Sequence, residues 1–122
     1  MANKHVTGIG GLFFRAKDAP ALAQWYKEHL GIDPVPTGEG QEPWTQEAGT
    51  TVFSPFPEDT KYFGNAEKQW MINFRVRDLG TLVDQLRASK IEVTFDPEMT
   101  PYGRFARLND PEGNPIELWE PK

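Results

Sequence analysis

The chain of 122 residues contains no cysteine. That excludes disulfides, thiolate nucleophiles and cysteine metal sites together, and it suits a reducing compartment. No stretch approaches the roughly 20 apolar residues needed to span a bilayer, so no membrane partner is expected. Residues 1–7 include Lys4 and His5 but lack the apolar run of a secretory signal, and the expected location is cytoplasmic. Basic residues are outnumbered, thirteen Lys and Arg against eighteen Asp and Glu, for a net charge of -5. Such a field repels a polyanion, so nucleic acid is not an expected partner.

Other residue types are plentiful. Eight Phe, four Trp and three Tyr point to a well-packed core, an aromatic-lined site, or both. The length suits one domain, 1–122, able to bury about two-thirds of its unfolded surface without a staple.

Ile9 to Ala16 reads as a strand despite its glycines. Asp18 and Pro20 then resemble an N-cap and an early helical proline. Leu22, Trp25, Tyr26 and Leu30 recur at helical spacing and Gly31 is a stop signal, which predicts a helix over about 20–30. His29 falls at its end, where the helix dipole favours a cation. Residues 33–36 are at most an edge strand because proline lacks the ladder donor. Residues 44–47 and 50–54 look like a hairpin around Ala48-Gly49. Residues 55–68 carry Pro55, Pro57, Gly64 and several charges, and read as a linker or mobile loop.

The pattern then restarts. Residues 70–76 alternate as a strand. Asp78 is a second candidate N-cap, and Leu79, Leu82, Val83 and Leu86 form a helical stripe ending near Ala88. Residues 91–95, 104–108 and 115–120 read as strands, the last two joined by the turn-rich run 109–114. The halves match at a separation of sixty: Leu12 with Ile72, Phe14 with Phe74, Arg15 with Arg75, Asp18 with Asp78, Leu22 with Leu82. This is an internal duplication of a strand–helix–three-strand unit. The expected fold class is α+β, two βαβββ modules in tandem (about 5–56 and 69–121, linker 57–68) whose curled mixed sheets form a cleft. Each module leaves an open sheet edge that a homodimer would close.

Asp110-Pro111-Glu112-Gly113-Asn114-Pro115-Ile116-Glu117-Leu118 and Trp25-Tyr26-Lys27-Glu28-His29-Leu30-Gly31 resemble the last hairpin and the first helix of the vicinal-oxygen-chelate superfamily. That superfamily includes glyoxalase I, bleomycin-resistance proteins and extradiol dioxygenases. Its members share a scaffold and differ in chemistry, so the site is argued from its own residues.

Strand alternation sorts the faces. Leu12, Phe14 and Ala16 are expected to face the helix, leaving Phe13 and Arg15 on the open side with Gly11. Ile72, Phe74 and Val76 face the core, leaving Met71, Asn73 and Arg75 open. Ile116 and Leu118 are core, so Glu117 and Trp119 face the cleft, and pairing Leu108 with Ile116 adds Phe105 and Arg107. Trp44, Trp70 and Tyr102 are further candidates, with Phe13 and Trp119, for an aromatic box around a planar or cationic ligand.

Metal-dependent members of the superfamily resemble one another in four cleft ligands drawn from His, Glu and Gln. The matching positions here are Gly11, Met71, Glu117 and a residue near Thr51. Glycine offers no side chain and a thioether is too soft for hard divalent ions. No metal and no other cofactor is therefore expected, and Glu47 enters only if the first hairpin is shifted. Glu117 is implied by the resemblance to be a general base; a carboxylate pairing with Arg107 or binding a partner subunit explains it equally. Arg15 and Arg75 would clamp a carboxylate or phosphate, or else satisfy acidic neighbours at the module interface. Three functions remain open: a metal-free binder or converter of a small organic molecule; a metal-dependent glyoxalase-type lyase with ligands from elsewhere; and a non-catalytic interaction subunit.

Overall fold

The computed structural model describes residues 5–122. Helix α1 spans Ala19–Leu30, strand β1 Ile72–Arg75, helix α2 Leu79–Ala88, and strands β2, β3 and β4 span Thr94–Thr100, Gly103–Asn109 and Pro115–Pro121. The strands form one curled, unclosed mixed sheet in the order β1-β4-β3-β2, with β1 parallel to β4 and the other pairs antiparallel. The second half of the chain thus makes a complete βαβββ unit.

Both helices pack on one face of this sheet. Leu22 and Tyr26 of α1 join Leu79, Val83 and Leu86 of α2 and the even-numbered Ala106, Leu108, Ile116 and Leu118 in one core. The period-two alternation then sends the odd-numbered side chains to the opposite, open face. Gly103 allows the close approach of β3 to β4: a Cβ there would lie 2.1 Å from the Glu120 carbonyl oxygen.

The helix ends follow local chemistry only in part. In α1, Asp18 Oδ1 accepts the Ala21 N–H at 3.1 Å, and Gly31 turns into the left-handed region at φ 70°. Asp78, the expected second cap, makes no side-chain cap bond and sits at φ 52°. The orphan Leu79 N–H instead donates to Glu120 Oε1 at 2.9 Å. Glu112 likewise accepts the Lys17 and Asp18 N–H groups at 2.6 and 3.0 Å. A glutamate of the β3–β4 region thus sits at each helix start: Glu120 takes the first free N–H of α2 and Glu112 the two N–H groups just ahead of α1, both where the helix dipole favours negative charge.

The first half departs from its expected strands. Residues 9–16, 33–36 and the hairpin 44–54 contain no strand. A strand needs a hydrogen-bonded neighbour, and the glycines and prolines of these segments weaken them further. Their apolar side chains stay outside: Phe13 is 91% exposed, Phe53 85%, and Leu12, expected to face the helix, is exposed as well. Ala16 does turn inward and packs on the core, whereas Phe14, 38% exposed, only meets Tyr26 edge-on at 6.4 Å.

One buried polar network fastens α1 to the turn between β3 and β4. Asp110, 4% exposed, accepts Tyr26 Oη at 2.6 Å and Asn114 Nδ2 at 2.7 Å on one oxygen. Its other oxygen accepts the Glu112 and Asn114 N–H groups at 2.8 and 3.0 Å. Burial, then the hydrogen bond to Asp110 and its charge, push the Tyr26 phenol above the ordinary tyrosine range. Tyr26→Phe removes one charge-assisted hydrogen bond and should lower stability by about 1.5–3 kcal/mol. Urea unfolding measures this as a lower midpoint with unchanged slope, and an unmoved midpoint would show that the network is dispensable.

Candidate functional site

The register of β1, β4 and β3 lays two rows of side chains across the open face. Asn73, Glu117 and Arg107 stand opposite one another in the first row. Arg75, Trp119 and Phe105 form the second. One row is polar and carries the only central carboxylate. The other is aromatic, with Phe105 and Trp119 parallel to within 6° at a centroid separation of 6.4 Å. Trp119 is held by its indole N–H, which donates to the Tyr102 carbonyl at 2.8 Å.

Glu117 is the chemical centre. Its side chain is only 8% exposed, so each carboxylate oxygen needs a donor. Asn73 Nδ2 donates to Oε1 at 2.7 Å, and the Tyr62 hydroxyl donates to Oε2. Arg107, its register neighbour, makes no ion pair with it. The guanidinium instead lies 4.3 Å from the centroid of the Tyr62 ring and donates to the Tyr62 carbonyl. Phe56 and Phe63 cluster beside Tyr62, with Phe56 5.9 Å from the Tyr62 ring and 5.2 Å from that of Phe63.

Six of the expected site residues, Asn73, Arg75, Phe105, Arg107, Glu117 and Trp119, are brought onto these two rows. Met71, half-buried, precedes β1. Phe13 and Arg15 are exposed and are held to neither row by hydrogen bond, ion pair or ring contact among the described residues. The matched arginines thus differ in setting, since Arg75 Nη2 donates to the Glu47 carbonyl at 2.9 Å. Gly49 lets that guanidinium lie against the backbone, because a Cβ there would fall 1.7 Å from Arg75 Nη1. Glu47 itself forms an exposed ion pair with Arg77. Trp70 packs against Phe14 at 5.3 Å, and His29 against Trp25 at 5.4 Å.

The donor set at this site is poor for a divalent ion. Among the described residues no group of three or more His, Cys, Asp or Glu is placed to hold one. Glu117 already has a donor on each oxygen, and Met71 and Gly11 supply no hard ligand.

Tyr62 was not among the residues singled out from sequence. It lies in the segment read as a linker, where proline, glycine and charge mask the aromatic cluster Phe56, Tyr62 and Phe63. Burial, then the hydrogen bond to Glu117 and its charge, push the Tyr62 phenol up to about 12, with Arg107 opposing. A phenol whose folded-state pKa lies above the ordinary 10 stabilises the fold fully below pH 10, and the gain is lost as pH rises toward 12. Absorbance titration at alkaline pH should therefore contain a tyrosinate component near pH 12, earlier than that of Tyr26, that Tyr62→Phe removes and Glu117→Gln moves to lower pH. A component near pH 12 that persists undiminished in Tyr62→Phe, beside the still later Tyr26, would contradict the assignment.

Solved structures share this architecture. TnmS3, an antibiotic binding protein from Streptomyces sp. CB03234, superposes with a TM-score of 0.67 at 21% identity, covering 98% of this chain and 100% of that one. A member of the glyoxalase/bleomycin resistance protein/dioxygenase superfamily from Sphaerobacter thermophilus DSM 20745 gives a TM-score of 0.55 at 23% identity, over 86% and 90% of the two chains. A glyoxalase/bleomycin resistance protein from Streptomyces sp. CB03234 gives 0.51 at 22%, over 85% and 92%. At such identities the likeness is one of fold. No curated protein matches the chain significantly. A sequence model of the Glyoxalase/Bleomycin resistance protein/Dioxygenase superfamily matches residues 4–118, and with nearly its whole length matched, the chain belongs to that superfamily.

Proposed function

We propose that the chain binds a small organic molecule on the two-row face and does so without a metal. The observation that carries this reading is the pairing of one buried, hydrogen-bonded carboxylate with an adjacent aromatic row. A few placed polar groups beside apolar lining are what orient and desolvate an organic ligand. Two poor ligand positions, Gly11 and Met71, and the occupied oxygens of Glu117 speak against a resident divalent ion. TnmS3, with the same fold, is an antibiotic binding protein, which supports binding as the leading activity. Glu117 is also the residue that would serve as a base if the bound molecule is converted, with Arg107 or Arg75 stabilising developing negative charge.

The protein is further proposed to work as a homodimer. Four strands end at β1, whose outer edge has no strand partner among the described residues, while Phe13, Val52 and Phe53 stand exposed on the first half. A second copy would cover that apolar surface and pair that edge.

Purified protein should contain far less than one divalent ion per chain, and a chelator should leave its melting temperature unmoved. Glu117→Gln keeps the shape and should melt near the wild type while weakening any ligand that raises the wild-type melting temperature. Sedimentation should give twice the chain mass of 13.9 kDa. One tightly held ion per chain, lost with Glu117→Gln, would replace this reading with a metal-dependent enzyme; a stable monomer would remove the dimer.

A further inference from the structure

The structure already contains a bound aromatic alcohol, contributed by its own chain. The Tyr62 hydroxyl donates to buried Glu117, and the Arg107 guanidinium covers the Tyr62 ring at 4.3 Å. These two groups face each other across the β3–β4 register, close enough for an acid and a base to pair directly. They do not pair. Tyr62 stands between them and engages both.

Three features mark this contact as replaceable. Tyr62 comes from a segment without helix or strand, 55–71. Its side chain is 40% exposed although its hydroxyl reaches a carboxylate that is 8% exposed. Its ring is otherwise held by its neighbour Phe56 at 5.9 Å, from the same segment. Moving this segment outward would break no strand pairing and would leave β1, β4 and β3 intact. It would expose together a carboxylate that has lost one donor and a guanidinium that has lost its aromatic face. A ligand offering the same hydroxyl and ring would satisfy the carboxylate and cover the guanidinium, whose N–H, freed from the Tyr62 carbonyl, would turn to water.

We infer that Tyr62 is an internal stand-in for the ligand, and that the ligand class is an aromatic alcohol whose neutral phenol displaces the Tyr62 hydroxyl from Glu117 and whose ring takes its place under Arg107. The inference rests on the binding role proposed above and adds the chemistry of the ligand. The neighbouring row extends it. Residues two apart along a strand are about 7 Å apart, so a fused two-ring phenol with its hydroxyl on Glu117 reaches Trp119 and Phe105. A neutral phenol is required because a phenolate would meet the Glu117 carboxylate with like charge. An ether of the same size would leave Glu117 short of a donor, a buried loss that discriminates strongly.

The probes are 2-naphthol and its methyl ether, 2-methoxynaphthalene, at neutral pH. Tyr62→Gly empties the place and should bind 2-naphthol about tenfold tighter than the wild type or more, with no such gain for the ether. Adding Glu117→Gln to Tyr62→Gly should cancel the gain. Melting temperature and near-ultraviolet circular dichroism check that each variant is folded. Displacement is read in the wild-type chain itself, labelled with fluorotyrosine. The chain has three tyrosines, and Tyr62→Phe assigns the relevant fluorine resonance. Saturating 2-naphthol should move the Tyr62 resonance to its solvent-exposed position and leave that of Tyr26 in place.

If 2-naphthol binds while the Tyr62 resonance stays, or if the ether gains as much as the alcohol from Tyr62→Gly, the stand-in role is overturned and the binding face survives. If neither probe binds the wild type or the folded Tyr62→Gly variant, the phenol class is overturned. A different organic ligand that still depends on Glu117 would then leave the broader binding role standing.

Discussion

The buried carboxylate of Asp110 is the constraint from which the rest of the arrangement follows. A carboxyl group with 4% exposure is tolerable only if its polar atoms are met, and here four donors meet them. Two of those donors shape the turn, and the Asn114 amide braces it from within. The fourth, the Tyr26 hydroxyl, comes from a helix more than eighty residues earlier in the chain. The same network therefore closes the β3–β4 turn and docks α1 on the sheet. Lys68 Nζ, donating to Asn114 Oδ1 at 3.2 Å, extends it to the end of the connecting segment, just beyond the aromatic cluster around Tyr62.

With the turn set, the register of β3 on β4 is set, and with it the composition of the open face. A slip of one residue would exchange Glu117 and Trp119 for Ile116 and Leu118. The core blocks such a slip, because Ile116 and Leu118 are wholly buried. Polar chemistry on one face is thus held in place by apolar packing on the other. The glutamates at the helix starts add to this coupling. Glu112 lies in the turn beside Asp110 and Glu120 in β4, and each receives a helix N-terminus.

Much of this was legible in the residues. Helix α2 runs from Leu79 to Ala88 where its stripe of Leu and Val ends, and α1 stops at Gly31 as a left-handed residue requires. Alternation along β1 and β4 sorts Asn73 and Glu117 from their core neighbours, and Arg107 joins them through the pairing of Leu108 with Ile116. Capping was less legible. Asp18 caps its helix through a contact three residues away, a distance that sequence reports. Asp78 occupies the matching position and does not, because Glu120, forty-one residues on, fills the role.

The sequence by itself determined the α+β class, the periods of both helices and the faces of the second half's strands. Each of these rests on residue type and spacing within a few positions, and local sterics, side-chain chemistry and burial act at that range. Only the tertiary structure decided that the first half's apolar segments lie outside a sheet, since a strand exists only through a neighbour that sequence does not supply. It alone decided that Tyr62 reaches Glu117 and turns Arg107 away from it. That contact joins residues fifty-five positions apart through a segment with no periodicity. Its partners are chosen by the need of a buried carboxylate for a donor, which no local pattern records.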